Sequence, residues 1–221
     1  MRHPEIENRI EEEFWKMVSC WSTNHYYEYT DAAFKKVVEK YNEKHRFYHD
    51  LVHIDMNLNE LKKFSFGHDK DKILYIATFL HDVIYDTLQS DKKNVLQSAE
   101  YVKHGYSNFG LNYEESKEVC ELIKFTDYSK KYSKNLTIEQ QVMQDLDLVI
   151  FGQPAPVFDQ YDENIRKEYW WVPPLIYQEK RKEVLEGFLS RKYIYQTTLL
   201  GLEYEENAKQ NLKRAIKRLK N

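Results

Sequence analysis

Cysteine is almost missing from this chain. Its 221 residues hold only Cys20 and Cys120, far apart and without CxxC spacing, which argues against a disulfide framework or a cysteine-based zinc site. Glycine and proline are scarce too, at six and five residues, which favours helices joined by short loops over a turn-rich sandwich. No apolar run approaches the roughly 18 residues a membrane span needs. The stretch Met1 to Glu13 is too polar and acidic to read as a signal peptide. Neither sign of charge dominates, with 33 basic against 36 acidic residues and a formal net of -3. No overall field therefore draws the chain to nucleic acid or an anionic membrane. The one basic cluster, Lys209, Lys213, Arg214, Lys217, Arg218 and Lys220, reads as a solvated helix face. These absences lead to the expectation of a soluble chain in a reducing, cytoplasmic setting, without a membrane partner.

What is present points to an all-α fold. The length suits one domain, 1–221, able to bury a core without crosslinks. Apolar residues recur at helical spacing between the breaker regions Gly152 to Pro156 and Pro173–Pro174. Helices are expected over Ile6 to Trp21, over Asp31 to Tyr41 with Asp31 as N-cap, and over Asp71 to Tyr85. Another is expected over Thr137 to Phe151, opened by the capping box Thr137-x-x-Gln140. The tail from Tyr177 to Leu219 reads as two or three long helices interrupted near Gly201. No alternating strand pattern stands out.

Three separated pieces carry chemistry: Arg46 to His53, Phe79 to Asp86, and Asp145 to Leu148. On a helix His49 and His53 would share one face, one turn apart. His81 and Asp82 form a polar pair amid Phe79, Leu80, Val83 and Ile84, a costly arrangement unless the pair is partnered or holds a metal. Imidazole with carboxylate suits a divalent ion such as Mn, Ni, Fe or Zn, and a helix bundle can converge such ligands in its interior. The ion would polarise a phosphoryl oxygen and lower the pKa of a bound water. Asp145 and Asp147 would project about 200° apart on a helix, and periodicity does not choose between them. Arg46, beside His49, is the best candidate for contacting phosphate; Lys124 is a weaker one. Arg166 and Arg181 read equally as phosphate contacts or as ion pairs with Glu163 or Glu179. The aromatic stretch Tyr161, Tyr169, Trp170, Trp171, Tyr177, Tyr193 and Tyr195 reads as core packing rather than nucleobase stacking. His3, His25, His45, His68 and His104 show no partner pattern.

On these residues the sequence resembles the HD superfamily, with its H…HD…D pattern on an all-helical bundle. It is more closely similar to a family of metal-dependent HD phosphohydrolases. The matching segments are Arg46 to His53, Leu80 to Asp86, Asp145 to Gly152, Tyr161 to Tyr169, Arg181 to Leu189, Ile194 to Thr197 and Glu205 to Leu212. The resemblance implies an HD-type bundle, with N-terminal helices (1–45) and additional C-terminal helices (155–221) packed on its core. It implies His53, His81, Asp82 and Asp147 as ligands of a divalent ion (Mn, Ni, Fe, Zn or Mg), Asp147 being chosen because Asp147–Leu148 matches the family's Asp-Leu motif. The likeness of the Tyr48-His49…His53 segment to cyclic-nucleotide phosphodiesterases implies His49 as the proton donor to the leaving group.

Two positions depart from the family pattern. Val95 stands where a Glu is expected after the HD motif, and no His follows Thr126. The reading is therefore of a metal-dependent phosphohydrolase acting on a small phosphorylated molecule, with a nucleotide as one candidate. The alternative is a catalytically weak metal- or nucleotide-binding HD module acting as a sensor or interaction domain.

Overall fold

A computed structural model describes residues 3–19, 27–129 and 135–219. Ten α-helices follow in order: α1 Pro4–Ser19, α2 Tyr27–Tyr41, α3 Leu51–Leu61, α4 His68–Leu80, α5 Asp91–Gly105, α6 Tyr113–Lys124, α7 Ile138–Asp147, α8 Ala155–Glu168, α9 Pro174–Leu189 and α10 Thr198–Arg218. Short 3-10 turns lie at Tyr106–Phe109 and Val149–Gly152. There is no strand among the described residues, so the all-α expectation holds. No described helix is long and apolar enough to cross a membrane. The chain divides into two compact units, Met1–Lys134 and Asn135–Asn221.

In the first unit α1 buries Ile10, Phe14 and Val18, residues spaced four apart and so on one stripe. Phe14 meets Phe34 of α2 and Phe79 of α4, with ring centroids 5.0 and 5.7 Å away. Helix α4 is buried from Lys72 to Leu80 without a polar stripe, the pattern of a helix at the centre of a core. Its one buried charge, Lys72, is answered by both carboxylate oxygens of Glu115 at 2.9 Å. Cys120 is buried and donates to the Ala99 carbonyl; Cys20, Trp21 and His25 lie outside the described residues. Two boundaries differ from expectation. Helix α2 begins at Tyr27, so Asp31 is not its cap but pairs with Lys35 one turn on, at 2.7 Å. Helix α4 stops at Leu80 rather than Tyr85.

In the second unit the Thr137 capping box forms as expected. Helix α10 is the spine, packed on α8, α9 and the turn Val149–Gly152. Asn211 of α10 donates to the carbonyls of Phe151 and Gln153, both at 2.8 Å. Of the basic tail, Arg214 and Arg218 both bond Asp159, at 2.7 and 2.8 Å, Lys209 pairs with Glu205 at 2.9 Å, Lys213 and Lys217 are exposed, and Lys220 lies outside the described residues. The interruption expected near Gly201 falls at residues 190–197 instead, and Gly201 lies inside α10. The break is held because Glu205 accepts the Ile194 and Tyr195 N–H groups and Thr197 caps α10.

Gly152 is where α10 comes closest. A Cβ there would overlap the Tyr204 Cβ and sit 2.8 Å from its Cγ and Cδ1. Because the clash includes the first side-chain atom of Tyr204, a rotamer change cannot relieve it. Gly152→Ala should cost about 1–3 kcal/mol, read as a lower denaturant midpoint, whereas Gly201→Ala, with nothing within 4 Å, should be neutral or stabilising.

Candidate metal centre

His53 owes its place to a helix start. Asp50 is the N-cap of α3, its side chain accepting from Val52 N at 2.9 Å and His53 N at 3.4 Å. Burial pushes the Asp50 carboxyl up, partly offset by those two bonds. His53 therefore sits in the first turn, buried. His49 lies before the cap, in a turn, so the expectation of two histidines on one helix face is corrected. The ring centroids still lie 5.9 Å apart, because the turn folds His49 back. The His49 ring stacks on Tyr85 at 3.9 Å and 23° and meets Tyr48 edge-on at 4.9 Å.

His81 and Asp82 stand where α4 ends, and side chains hold the backbone that follows. The Asp82 carbonyl accepts from Arg46 Nη1 at 2.7 Å and the Val83 carbonyl from Arg46 Nη2 at 3.1 Å. Ser98 Oγ donates to the Ile84 carbonyl at 3.3 Å and accepts the Ile84 N–H at 3.1 Å. His45 Nε2 meets the Tyr85 carbonyl at 2.9 Å. Asn94 donates to the Asp86 carbonyl at 3.0 Å and accepts its N–H at 3.2 Å. Every carbonyl from residue 82 to residue 86 thus has a side-chain partner, which satisfies the groups a continuing helix would have used. That is why the helix ends where the site begins.

Three ligand atoms converge at this end. His53 Nε2 and His81 Nε2 are 3.2 Å apart, and Asp82 Oδ2 lies 3.6 Å from the first and 3.2 Å from the second. Donors around an ion bound at about 2.0–2.2 Å are separated by about 2.8–3.1 Å in octahedral and about 3.3–3.6 Å in tetrahedral geometry, so the triangle has the right size. Its protonation also fits. His81 Nδ1 lies 2.8 Å from the Thr78 carbonyl, an acceptor only, so the neutral ring carries its proton there and turns the Nε2 lone pair inward. That lone pair then faces a carboxylate with both histidines 1 % exposed. Two bare acceptors so close repel, so either a proton on His53 Nε2 or a cation lies among these atoms. The triangle, the tautomer and the burial together fit a divalent ion.

The two aspartates of the third motif separate cleanly. Asp145 is fully buried and accepts the N–H groups of Gln196 and Thr197 and the Thr197 hydroxyl, all at 2.7 Å. Burial pushes its carboxyl up to about 6 against those hydrogen bonds. Asp145 is thus spent inside the second unit, tying α7 to the start of α10. Asp147, the last residue of α7, is partly exposed.

Arg46 is placed otherwise than expected. Its guanidinium is fully buried and bonds the carbonyls of His49, Asp82 and Val83 together with Glu43. It ties the His49 turn to the HD turn and presents no fork to a phosphate. Arg181 is likewise held by Asp162 at 3.0 Å, and Arg166 by the carbonyls of Tyr169 and Val172 at 2.7 and 3.1 Å. Of the aromatic stretch, Tyr161, Tyr177 and Tyr195 are buried as expected, but Trp170, Trp171 and Tyr193 are exposed. Sequence reasoning missed His45, Asn94 and Ser98. For the last two a signal existed, since Asn and Ser four apart on an amphipathic helix share a face. Against known proteins, no family model, no curated protein and no solved structure matches the chain.

Proposed function

We propose that this protein is a metal-dependent phosphohydrolase acting on a small phosphorylated molecule, with nucleotides as the first class to try. The observation that carries the reading is the convergence of His53 Nε2, His81 Nε2 and Asp82 Oδ2 within 3.6 Å of one another. In this reading those three residues and Asp147 hold the ion, Asp147 entering on the strength of the ordered His…His-Asp…Asp pattern. A divalent ion (Mn, Ni, Fe, Zn or Mg) supplies Lewis acidity toward a phosphoryl oxygen and acidifies an attacking water.

The chain's own residues do the rest. His49 delivers a proton to the departing oxygen; its half-buried ring is oriented by Tyr85 and Tyr48, and imidazole titrates near neutrality. Arg46 is a positioning residue, since its buried guanidinium is bonded to the carbonyls of the turns bearing His49 and Asp82. The experiment is a panel of phosphomonoesters and phosphodiesters, nucleotides included, assayed with each ion. His49→Gln should lower kcat about 10²–10⁴-fold while leaving bound metal unchanged.

One observation favours a second reading, a metal- or nucleotide-binding module with little turnover. Val95, in the place where the resemblance expects a Glu, is buried, so that position offers no carboxylate. A metal-loaded protein inert across the panel but binding a nucleotide would select this reading.

A further inference from the structure

The turn joining α8 to α9 exposes large apolar side chains. Trp170 is 75 % exposed, Trp171 43 %, Leu175 80 % and Ile176 52 %. All four lie between positions 170 and 176, at the end of α8 and the start of α9. We propose that this turn is a membrane-interface anchor whose Trp170, Trp171, Leu175 and Ile176 enter the headgroup–acyl boundary of a lipid bilayer.

Four features select this occupant. Exposed area is the first: these side chains offer on the order of 500 Å² of apolar surface, below the about 800 Å² per partner of a stable protein interface. A fluid bilayer receives a patch of this size, whereas two copies of it would bury little of each other. The backbone is the second: several polar groups of the turn are satisfied internally, which lowers the cost of leaving water, while the uncapped first N–H groups of α9 stay among the headgroups. Pro173 and Pro174 have no N–H to satisfy. Arg166 takes the Tyr169 and Val172 carbonyls, and the Trp170 and Val172 N–H groups are bonded to Lys167 and Tyr169 carbonyls. Charge is the third: Lys167 and Glu179, of opposite sign, flank the turn in sequence, and farther along α9 Lys180 pairs with Glu183 at 2.9 Å and Lys182 with Glu186 at 3.8 Å. No net field calls for an acidic or basic partner. The residue types are the fourth, since tryptophan rings with a polar N–H edge favour this boundary. The anchor is independent of the metal centre and requires no membrane span.

The test is co-sedimentation of the full chain with phosphatidylcholine vesicles, with quenching of tryptophan emission by brominated lipid. The expected result is partitioning that raising the salt leaves unchanged. Leu175→Asp should lower it by about 100-fold or more, and Trp170→Ala by about tenfold or more. Both positions are open to solvent, and circular dichroism checks that the variants stay folded. The proposal is overturned if the wild type does not sediment, if both variants sediment as it does, or if binding needs anionic lipid and disappears with salt. It is overturned equally if the turn instead mediates a lipid-free dimer that Leu175→Asp dissociates, which would assign the surface to a second copy of the chain.

Discussion

Purified wild-type protein should carry a divalent metal, and the paired substitution His81→Ala/Asp82→Ala should lose it. Elemental analysis reads this directly. His81 and Asp82 are two of the three converging ligands, and changing a residue that only hydrogen-bonds to a ligand typically costs about 10–100-fold in metal affinity, so removing two ligands should cost far more. Binding to the folded state also stabilises it, by about 2.7 kcal/mol when the free ion stands at 100 times its Kd. Chelation should therefore lower the wild-type Tm by about 5–10 °C and leave the variant's unchanged. A sharper form uses Asp82→Asn. With the ion removed at pH 8, Asp82 Oδ2 and the His81 Nε2 lone pair face each other at 3.2 Å. An asparagine amide can donate to that lone pair, so metal-free Asp82→Asn should be more stable than metal-free wild type, by about 1 kcal/mol. With metal the order should reverse. If the wild type binds no ion after reconstitution, or if asparagine destabilises the metal-free protein, the centre is not a metal site.

Arg46→Ala should be the most damaging single substitution in the first unit. It would orphan the carbonyls of His49, Asp82 and Val83 and leave a cavity where the guanidinium lies between the Tyr41 and Tyr85 rings. Breaking a buried, multiply bonded charge of this kind costs about 3–5 kcal/mol, a Tm fall of roughly 10 °C or more. Arg46→Lys should recover little, because a single ammonium cannot reproduce a planar fork aimed at three carbonyls. Thermal melts of both variants check this. An Arg46→Ala protein with wild-type stability but weakened phosphate binding would return the residue to the role its neighbourhood in sequence suggests.

How much of this was legible beforehand varies by element. The stripes of α1 and the Thr137 cap could be read because their information is local: residues three and four apart, and a side chain bonding its own N3 amide. The end of α4 could not, because the apolar pattern continues through Val83 and Ile84 while the chain turns. What stops the helix is Arg46, His45, Asn94 and Ser98 taking the carbonyls of residues 82–86, all four coming from α5 or from the loop between α2 and α3. Asp31 and Gly201 misled for a related reason. A capping residue type and a helix breaker are only propensities, overridden here where the fold supplies other partners.

The ligand set shows the same division. The sequence alone determined that histidine and aspartate recur in order beside apolar helices, and that the fold is all-α, since residue types and helical period are properties of the linear chain. Tertiary structure alone decided which of those groups can act. It placed His53 Nε2 against His81 Nε2, fixed the His81 tautomer through the Thr78 carbonyl, and consumed Asp145 and Arg46 in hydrogen bonds. Periodicity gives a side chain's face but not its partner, and a polar group's chemistry depends on the partner it has already taken.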